Sequence, residues 1–530
     1  MANAIMSKVF GGVIGDFSLK DLENFPYALY TSNKERYADL EYWYSGEAIN
    51  TVDRQKGDEA ESFPARVNPV KTAVQKHVSA VFGEFMDGGD TPPIKFRVRQ
   101  REGEEQERAE FVESVLQTLV SENNAGPAMI ENGLLSQIYG GCVFRLRYDP
   151  NDENLETGLS LDSIHPSCFI GIPNGSDYWS LREAWVVQQI TADEALHYGV
   201  EVPNSYAWYI EHWTPEDYQI SINNILIGYT TDEEVKLAGG TNVFGFVPFV
   251  YIPHIRTTGF YGESIITDAV KGLLKELNKN IADAGDAVKA DSAGYAVMSG
   301  VRGVPQVFEL VDGLPVINLG MGSPTLSGGE NRPSLDTIRI GTTSSPMVEI
   351  VDRTQMMLSR ELYTPDVAYG EFSGGSQRSS ASLYAMMWHL TAHAKLERVW
   401  WTAGLRMIAK MALRLFAKLG IMGIKESDIS MHIGVQWSEY LPRDRAELIN
   451  ELSVRAANKL GSIRHLLELT GDVDNATKMV DEILEELEEL AEINSKAKPE
   501  PAQTAPAPKT DARKTSPSSA MPKKGQKNGS

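Results

Sequence analysis

Two histidines, His389 and His393, lie four residues apart in the sequence HLTAH and are the first candidates for metal chemistry. On a helix, that spacing can direct two imidazoles to one zinc ion. A zinc protease also needs a glutamate directly after the first histidine, as the base that activates the metal-bound water, and Leu390 stands there. The sequence therefore favours two polar residues on one face of a packed helix, and we expect no metal and no other cofactor.

Other catalytic signatures lack support in the sequence. The glycine-rich stretches near 320–329 and 370–376 lack the lysine of a phosphate-binding loop, and no G-x-S-x-G nucleophile turn occurs. Cys142 follows two glycines at the start of an apolar run, so a small buried residue is favoured over a nucleophile. We therefore expect no catalytic residues and no enzymatic activity.

Two charged patterns have both a functional and a structural interpretation. Four basic residues recur at every fourth position of one helical segment: Arg406, Lys410, Arg414 and Lys418. They could face DNA phosphates, but in an acidic chain they are favoured to pair with a neighbouring subunit's acidic surface. The acidic segment 481–492 is typical of a solvated helix face, although many copies in a ring would form a negative wall.

The composition excludes several classes of protein. The 530 residues carry a formal charge of −22, which disfavours a general nucleic-acid coating protein. The two cysteines, Cys142 and Cys168, exclude a disulfide scaffold and a four-cysteine zinc site, and fit a reducing compartment. No stretch has the length and apolarity of a membrane span or a targeting segment, so we expect a soluble protein.

Helical periodicity dominates the first 140 residues. Residues 33–50 predict a short helix with aromatic anchors. In residues 68–86, Asn68 is the expected cap and Pro69 suits the first turn. This second helix has an apolar face: Val70, Ala73, Val74, His77, Val78 and Val81. Further helices are predicted at Gln106–Ser121 and Pro127–Tyr139.

The pattern then changes to a period of two, which predicts strands. Apolar and polar residues alternate in four segments: 142–149, 183–190, 206–213 and 217–222. Asn223-Asn224 predicts a tight hairpin turn after the last of them. A mostly antiparallel sheet with helices before and after it indicates the α+β class.

Two long helical patterns flank a region rich in glycine and proline. The first starts near Gly262 and has a stripe of apolar residues: Ile266, Val270, Leu273, Leu277, Ile281, Ala284 and Val288. Residues 292–343 predict a small subdomain of short strands and turns. The second helix begins at Ser345, and its seam consists of Val348, Val351, Gln355, Leu358 and Leu362.

The last third of the chain is predicted to be mostly helical. Residues 369–382 are too polar and too rich in Gly and Ser for regular structure. A very long helix is expected from about Leu383 to Leu419, with an apolar face: Leu390, Ala394, Val399, Trp401, Leu405, Ile408, Ala412, Leu415 and Leu419. A strand at 429–437 and two or three short helices follow. The tail from Lys496 onwards is basic and rich in Pro, Ala, Ser and Thr, which predicts disorder.

The order of these parts resembles the portal proteins of tailed bacteriophages, the head-to-tail connectors. Several stretches carry the resemblance. They are EYWYSGE (41–47), NPVKTAVQKHVSAVFGE (68–84), FVPFVYIPH followed by YGESIITDAVKGLLKELNKNIADA (261–284), the Gly/Pro-rich insert 292–343, SSPMVEIVDRTQMMLSREL (344–362), the loop 363–382 and the closing pattern that starts at WSEYLPRDRAELINEL. It covers residues 30–490 approximately. Its specificity comes from the order of stem helix, Gly/Pro insert, stem helix, loop and long helix.

The resemblance implies a portal-type subunit with a wing of mixed helix and antiparallel sheet. The implied parts are the N-terminal part of the wing (1–260), a first stem helix (261–291), a clip (292–343), a second stem helix (344–362), a tunnel loop (363–382), the long helix with the C-terminal part of the wing (383–440), a small helical crown (441–492) and a disordered tail (493–530). The closing helical region is short compared with the family, so a long internal barrel is not expected.

The resemblance also implies partners and a place of action. Portals form rings of about twelve subunits around a channel for double-stranded DNA, at one vertex of the capsid. The implied partners are further copies of the chain, the large terminase, a head–tail adaptor, and the major capsid and scaffold proteins, without a membrane. Assembly would take place in the host cytoplasm, and the protein would end in the virion.

The tunnel loop supplies the candidate site residues. By resemblance they ring the channel, and they are Tyr369, Glu371, Phe372, Gly374, Gly375 and Arg378. The glycines allow the backbone to change shape, Glu371 repels phosphate, and Arg378 is the cation able to attract it. Two alternatives stay open: a virion or head–tail adaptor protein without a channel, and a metal-dependent hydrolase that uses His389 and His393.

Overall fold

The computed structural model describes most of the chain between residues 17 and 496. The described residues are 17–50, 66–83, 94–99, 105–123, 125–231, 234–237, 239–293, 295–299, 301–302, 306–309, 315–318, 321–322, 334–338, 344–370, 380–437, 445–470 and 476–496. They belong to two compact units, Met1–Pro442 and Arg443–Ser530. The predicted disordered tail, 493–530, lies almost entirely outside the described residues. No described helix has the length and apolarity needed to span a membrane.

Helices make up much of the first unit. They are α1 (Tyr27–Ser45), α2 (Glu47–Asn50), α3 (Val70–Phe82), α4 (Glu105–Glu122), α5 (Ala125–Tyr139), α6 (Ala192–His197), α7 (Asp268–Ala293), α8 (Ser344–Glu361), α9 (Ser380–Met386) and α10 (Trp388–Leu419). Short 3₁₀ turns cover Leu19–Asp21, Pro166–Cys168, Asp366–Tyr369 and Glu426–Ser430.

The strands of the first unit pair only in antiparallel fashion within the described residues. They are β1 (Ile94–Arg99), β2 (Gly141–Tyr148), β3 (Leu159–Ile164), β4 (Phe169–Asn174), β5 (Asp177–Thr191), β6 (Tyr206–Trp213), β7 (Asp217–Ile222), β8 (Ile225–Leu226), β9 (Gly228–Thr231), β10 (Glu234–Leu237), β11 (Gly239–Thr241), β12 (Phe249–Pro253), β13 (Tyr295–Ser299), β14 (Val301–Arg302), β15 (Gln306–Glu309), β16 (Pro315–Asn318), β17 (Met321–Gly322), β18 (Ser334–Ile338) and β19 (His432–Trp437).

The largest sheet has the strand order β11-β7-β6-β5-β4, with β8 paired to β7. A second sheet has the order β12-β2-β3. A separate two-stranded sheet pairs β1 with β19, although these strands are far apart in the sequence. The α+β class predicted from the sequence is confirmed. The hairpin turn is confirmed as well, because Asn223 and Asn224 have φ angles of 47° and 66°, the signature of a type I′ turn.

The region between α7 and α8 consists of short strands. Three antiparallel ladders are described there, β13 with β18, β14 with β17, and β15 with β16. The short strands predicted within 292–343 are therefore present in the described part of that region, and their assignment to a separate subdomain stays a prediction.

The core of the first unit surrounds α10. Trp401 is 1% exposed, and the rings of Phe82 and Phe144 contact its face edge-on at 5.0 and 6.1 Å. Val399 was expected on the apolar face, but its side chain is 63% exposed. Its position does not match the 3.6-residue spacing of the buried residues on α10, so its side chain lies on the solvent-facing side of the helix.

Several helix boundaries differ from the predictions. The first helix begins at Tyr27, before the expected start at 33. The first long helix begins at Asp268 rather than Gly262, because the preceding residues bond to other elements: Glu263 N donates to Ile255 O (2.8 Å) and Ser264 Oγ donates to Ile138 O (2.6 Å). The expected helix 383–419 is divided at Met387 into α9 and α10.

The second unit is helical in its described part. It contains α11 (Arg445–Ala457), α12 (Ile463–Thr470) and α13 (Ala476–Lys496). Two or three short helices were predicted here, and the third, α13, is longer than expected at 21 residues. Leucines at 484, 487 and 490 are each more than half exposed on this acidic helix.

Candidate functional site

The candidate site is centred on the end of α8, from which the chain enters the segment 363–370. Thr364 N donates to Ser359 O (2.9 Å) and Tyr363 N donates to Arg360 O (3.1 Å), which is the Schellman pattern of helix termination. Tyr363 has φ 53° and so takes the left-handed position that glycine usually fills. Such a conformation costs a bulky residue about 1–3 kcal/mol unless its surroundings hold it there.

The aromatic ring of Tyr363 packs against a histidine of α10. It stacks on the His393 imidazole with centroids 4.2 Å apart and planes at 21°. The segment that follows is also fixed, because Thr364 is fully buried and its Oγ1 accepts a hydrogen bond from the Tyr369 hydroxyl (3.1 Å). Gly370 then ends the described part of the segment with φ 82°.

Beneath Tyr363 lies a buried cluster of three histidines and one glutamate. His77 comes from α3, His254 follows β12, and His393 and Glu397 lie one turn apart on α10. Glu397 Oε1 is 3.1 Å from His393 Nε2, 3.4 Å from His254 Nε2 and 3.9 Å from His77 Nδ1. The two Nε2 atoms of His254 and His393 are 3.2 Å apart. None of the four side chains is more than 4% exposed.

Neighbouring groups orient the cluster from outside. His77 Nε2 contacts the carbonyl oxygen of Leu362 at 2.7 Å, and His254 Nδ1 contacts that of Glu263 at 2.8 Å. Because a carbonyl oxygen can only accept, each of these ring nitrogens carries a proton. Gln137 Nε2 donates to Glu397 Oε2 at 2.6 Å. The contact with Leu362 joins the cluster to the residue that follows the last residue of α8.

The pKa values reflect burial and mutual charge. Burial lowers the pKa of His77 to about 4, so this imidazole is neutral near pH 7. Burial opposes the charge of His254, but the carboxylate of Glu397 outweighs it and raises the pKa of His254. Burial would likewise raise the pKa of Glu397, yet the charge of His254 holds that pKa far below its usual range. The cluster therefore keeps a carboxylate ionised in the protein interior.

This arrangement is able to hold a metal ion. One ligand atom each from His77, His393 and Glu397 lie within 4.8 Å of one another. His389, the partner that the sequence suggested for His393, is exposed and is not a member of this group. His389 and His393 therefore lie in different environments. His389 is at the exposed start of α10, whereas His393, one turn later, is buried in the core.

The candidate channel residues are mostly beyond the described part of the chain. Tyr369 is described, 37% exposed and bonded to Thr364. Glu371, Phe372, Gly374, Gly375 and Arg378 lie outside the described residues. Part of the expected loop 363–382 is regular, since Asp366–Tyr369 is a 3₁₀ turn and α9 begins at Ser380.

Two other sequence motifs have clear structural roles. Cys142 is fully buried, and burial raises the pKa of its thiol, as expected of a packing residue. Of the basic stripe, Arg406 donates to Ile433 O (2.8 Å) and Lys418 donates to Val243 O (2.7 Å) within the same chain. These two side chains therefore attach α10 to neighbouring segments of the same chain, and pairing of the stripe with a neighbouring subunit stays a prediction.

The sequence contained partial signals for the cluster. His77 stood on the apolar face of its predicted helix, an unusual place for a polar residue, and His393 with Glu397 has the i, i+4 spacing of contacting side chains. His254 follows the apolar run FVPFVYIP. No local pattern could indicate that these three segments meet.

Comparison with known proteins gives one family. A family model described as "Phage portal protein, SPP1 Gp6-like" matches residues 27–493. A search of curated proteins found no match.

Proposed function

The chain belongs to the phage portal protein family, and on that premise we propose that it forms a ring at one capsid vertex with a central channel for double-stranded DNA. DNA enters through this channel during packaging and leaves through it during ejection. The ring also serves as the docking site for the large terminase and later for a head–tail adaptor. The family match over residues 27–493 is the observation that carries the proposal.

Exposed apolar side chains on the two long helices support ring formation. Val288 of α7 and Val348 and Ile350 of α8 are each more than half exposed in the isolated subunit. Close to the body of the subunit, by contrast, Leu277 and Leu358 are buried. Large apolar side chains on a free surface favour burial against another copy of the chain.

The charge of the chain supports a channel through which DNA can slide. At −22 the chain is strongly acidic, and α13 carries seven carboxylates in residues 481–492. An acidic wall with few cations repels phosphate and avoids a tight binding site. In this proposal Arg378 is one of the few cations that contact the DNA, and Tyr369, Glu371, Phe372, Gly374 and Gly375 complete the tunnel loop.

We assign the remaining parts by their place between the helices. In the proposal α7 and α8 are the stem, and the short strands between Tyr295 and Ile338 are the clip, which meets terminase and adaptor. The helices α11 to α13 are the small crown. Adaptor binding that survives deletion of residues 300–335 would contradict the clip assignment.

Electron microscopy of the purified full chain tests the proposed function. We expect top views in negative stain to show closed rings of about twelve subunits with a central hole. Particles without cyclic symmetry would instead favour an adaptor protein without a channel. A protein that remains monomeric at micromolar concentration over a range of salt would contradict ring formation.

A further inference from the structure

We propose that His77, His254, His393 and Glu397 form a structural binding site for a divalent transition metal, Zn²⁺ in particular. The site is independent of the proposed channel. It would join α3, the end of β12 and α10, and through Leu362 it would hold the end of α8.

The orientation of the imidazoles is the first argument. His77 and His254 each donate one ring N–H to a backbone carbonyl, at 2.7 and 2.8 Å. Metal-binding histidines have this arrangement, since the outer hydrogen bond fixes the tautomer and leaves the other nitrogen free to bind. The remaining nitrogens, Nδ1 of His77 and Nε2 of His254, both face Glu397 Oε1.

Unsatisfied atoms are the second argument. Within the described residues, neither His77 Nδ1 nor Glu397 Oε1 has a hydrogen bond of acceptable geometry, although both are completely buried. His77 Nδ1 is an acceptor because Nε2 carries the proton, so no proton lies between His77 Nδ1 and the Glu397 carboxylate oxygen 3.9 Å away. Two facing buried acceptors are costly, and a cation between them would satisfy both.

The distances fit a tetrahedral ion. With Zn–N and Zn–O bonds near 2.0–2.1 Å, neighbouring ligand atoms are about 3.3 Å apart. The three separations among His254 Nε2, His393 Nε2 and Glu397 Oε1 are 3.1, 3.2 and 3.4 Å. His77 Nδ1 is 3.9 Å from Oε1 and belongs to the group of His77, His393 and Glu397 whose ligand atoms lie within 4.8 Å of one another, so it would have to move toward His254 to become the fourth ligand.

The chemistry of the donors selects the kind of metal. Three imidazoles and one carboxylate suit zinc and its neighbours in the first transition row, whereas Mg²⁺ and Ca²⁺ prefer oxygen ligands. Four protein ligands in a buried position are typical of a structural site rather than a catalytic one.

Metal analysis of the full chain, purified without a histidine tag, tests the proposal. We expect about one zinc ion per chain in the wild type after incubation with Zn²⁺ and removal of the excess. The same content is expected in His389→Ala, a control that removes an exposed histidine one turn earlier on α10. In His393→Ala and Glu397→Gln the content should fall at least tenfold.

A second measurement does not depend on whether the variants fold. Wild-type protein stripped with a chelator should melt at a lower temperature, and Zn²⁺ but not Mg²⁺ should restore the original value. Co²⁺ added to the stripped protein should produce the visible absorption of a tetrahedral site. The proposal is wrong if wild-type protein holds less than about a tenth of an ion per chain, or if stripping and Zn²⁺ leave the melting temperature unchanged.

Discussion

At the scale of single residues, close packing in the first unit depends on a glycine, Gly404, which has no side chain. Gly404 of α10 lies against Ile252 of β12, and a Cβ at this position would be 2.4 Å from Ile252 Cγ1 and 2.5 Å from Cδ1. Ile252 is fully buried in the core, so it has little room to move away. Glycine at position 404 therefore allows the long helix to approach the sheet.

Gly404→Ala is expected to destabilise the protein by about 1–3 kcal/mol, because the added methyl group overpacks a dense core. The matched control is Gly272→Ala in α7, where nothing lies within 4 Å of the new Cβ. That change should leave stability unchanged or raise it by about 0.4–1 kcal/mol. Urea unfolding at one fixed protein concentration measures both effects. Equal midpoints for the two variants would contradict this account of α10.

At the scale of elements, the segment after α8 is rigid at its start. The Schellman turn, the stacking of Tyr363 on His393 and the Tyr369–Thr364 bond fix residues 362–370. If the following residues reach the DNA, as we propose, their movement starts from this fixed base. The first glycine after the base, Gly370, already has a positive φ angle.

We predict that Arg378→Ala, or removal of Gly374 and Gly375, leaves ring assembly intact and reduces the length of packaged DNA per particle. Loss of the arginine removes a phosphate contact, and a shorter loop reaches less far into the channel. Arg414→Ala, which removes an exposed arginine of α10, is the control and should package normally. Gel measurement of packaged DNA is combined with micrographs of the rings. Normal packaging in both loop variants would count against a channel role, and failed assembly would indicate a structural one.

The helices and strands were easier to predict from the sequence than the contacts between them. Periodicity correctly predicted α8, the strands β6 and β7 and the turn at Asn223-Asn224, because local spacing alone determines them. It missed the start of α7, where a side-chain bond to Ile138 of α5 and a backbone bond to Ile255, two residues after β12, replace helical ones. The histidine cluster could not be predicted, since its members lie on three segments far apart in sequence.

At the scale of the whole molecule, the basic tail should be dispensable. We expect a chain truncated before Lys496 to form the same rings as the full chain, because the tail composition cannot support a packed core. The comparison is made by light scattering and negative-stain microscopy at equal protein concentration. Loss of soluble assembly after truncation would show that the tail has a structural role.

The pairing of β1 with β19 has a consequence for synthesis of the protein on the ribosome. Ile94 aligns with Trp437 and Arg99 with His432, so a strand made early depends on one made more than 300 residues later. The Arg108–Asp428 ion pair connects the same two regions. The first unit therefore cannot close during most of translation, and a prematurely terminated chain lacks its last strand. On the proposed function, a chain that ends before His432 would have no partner for β1 and could not supply a complete subunit to the ring.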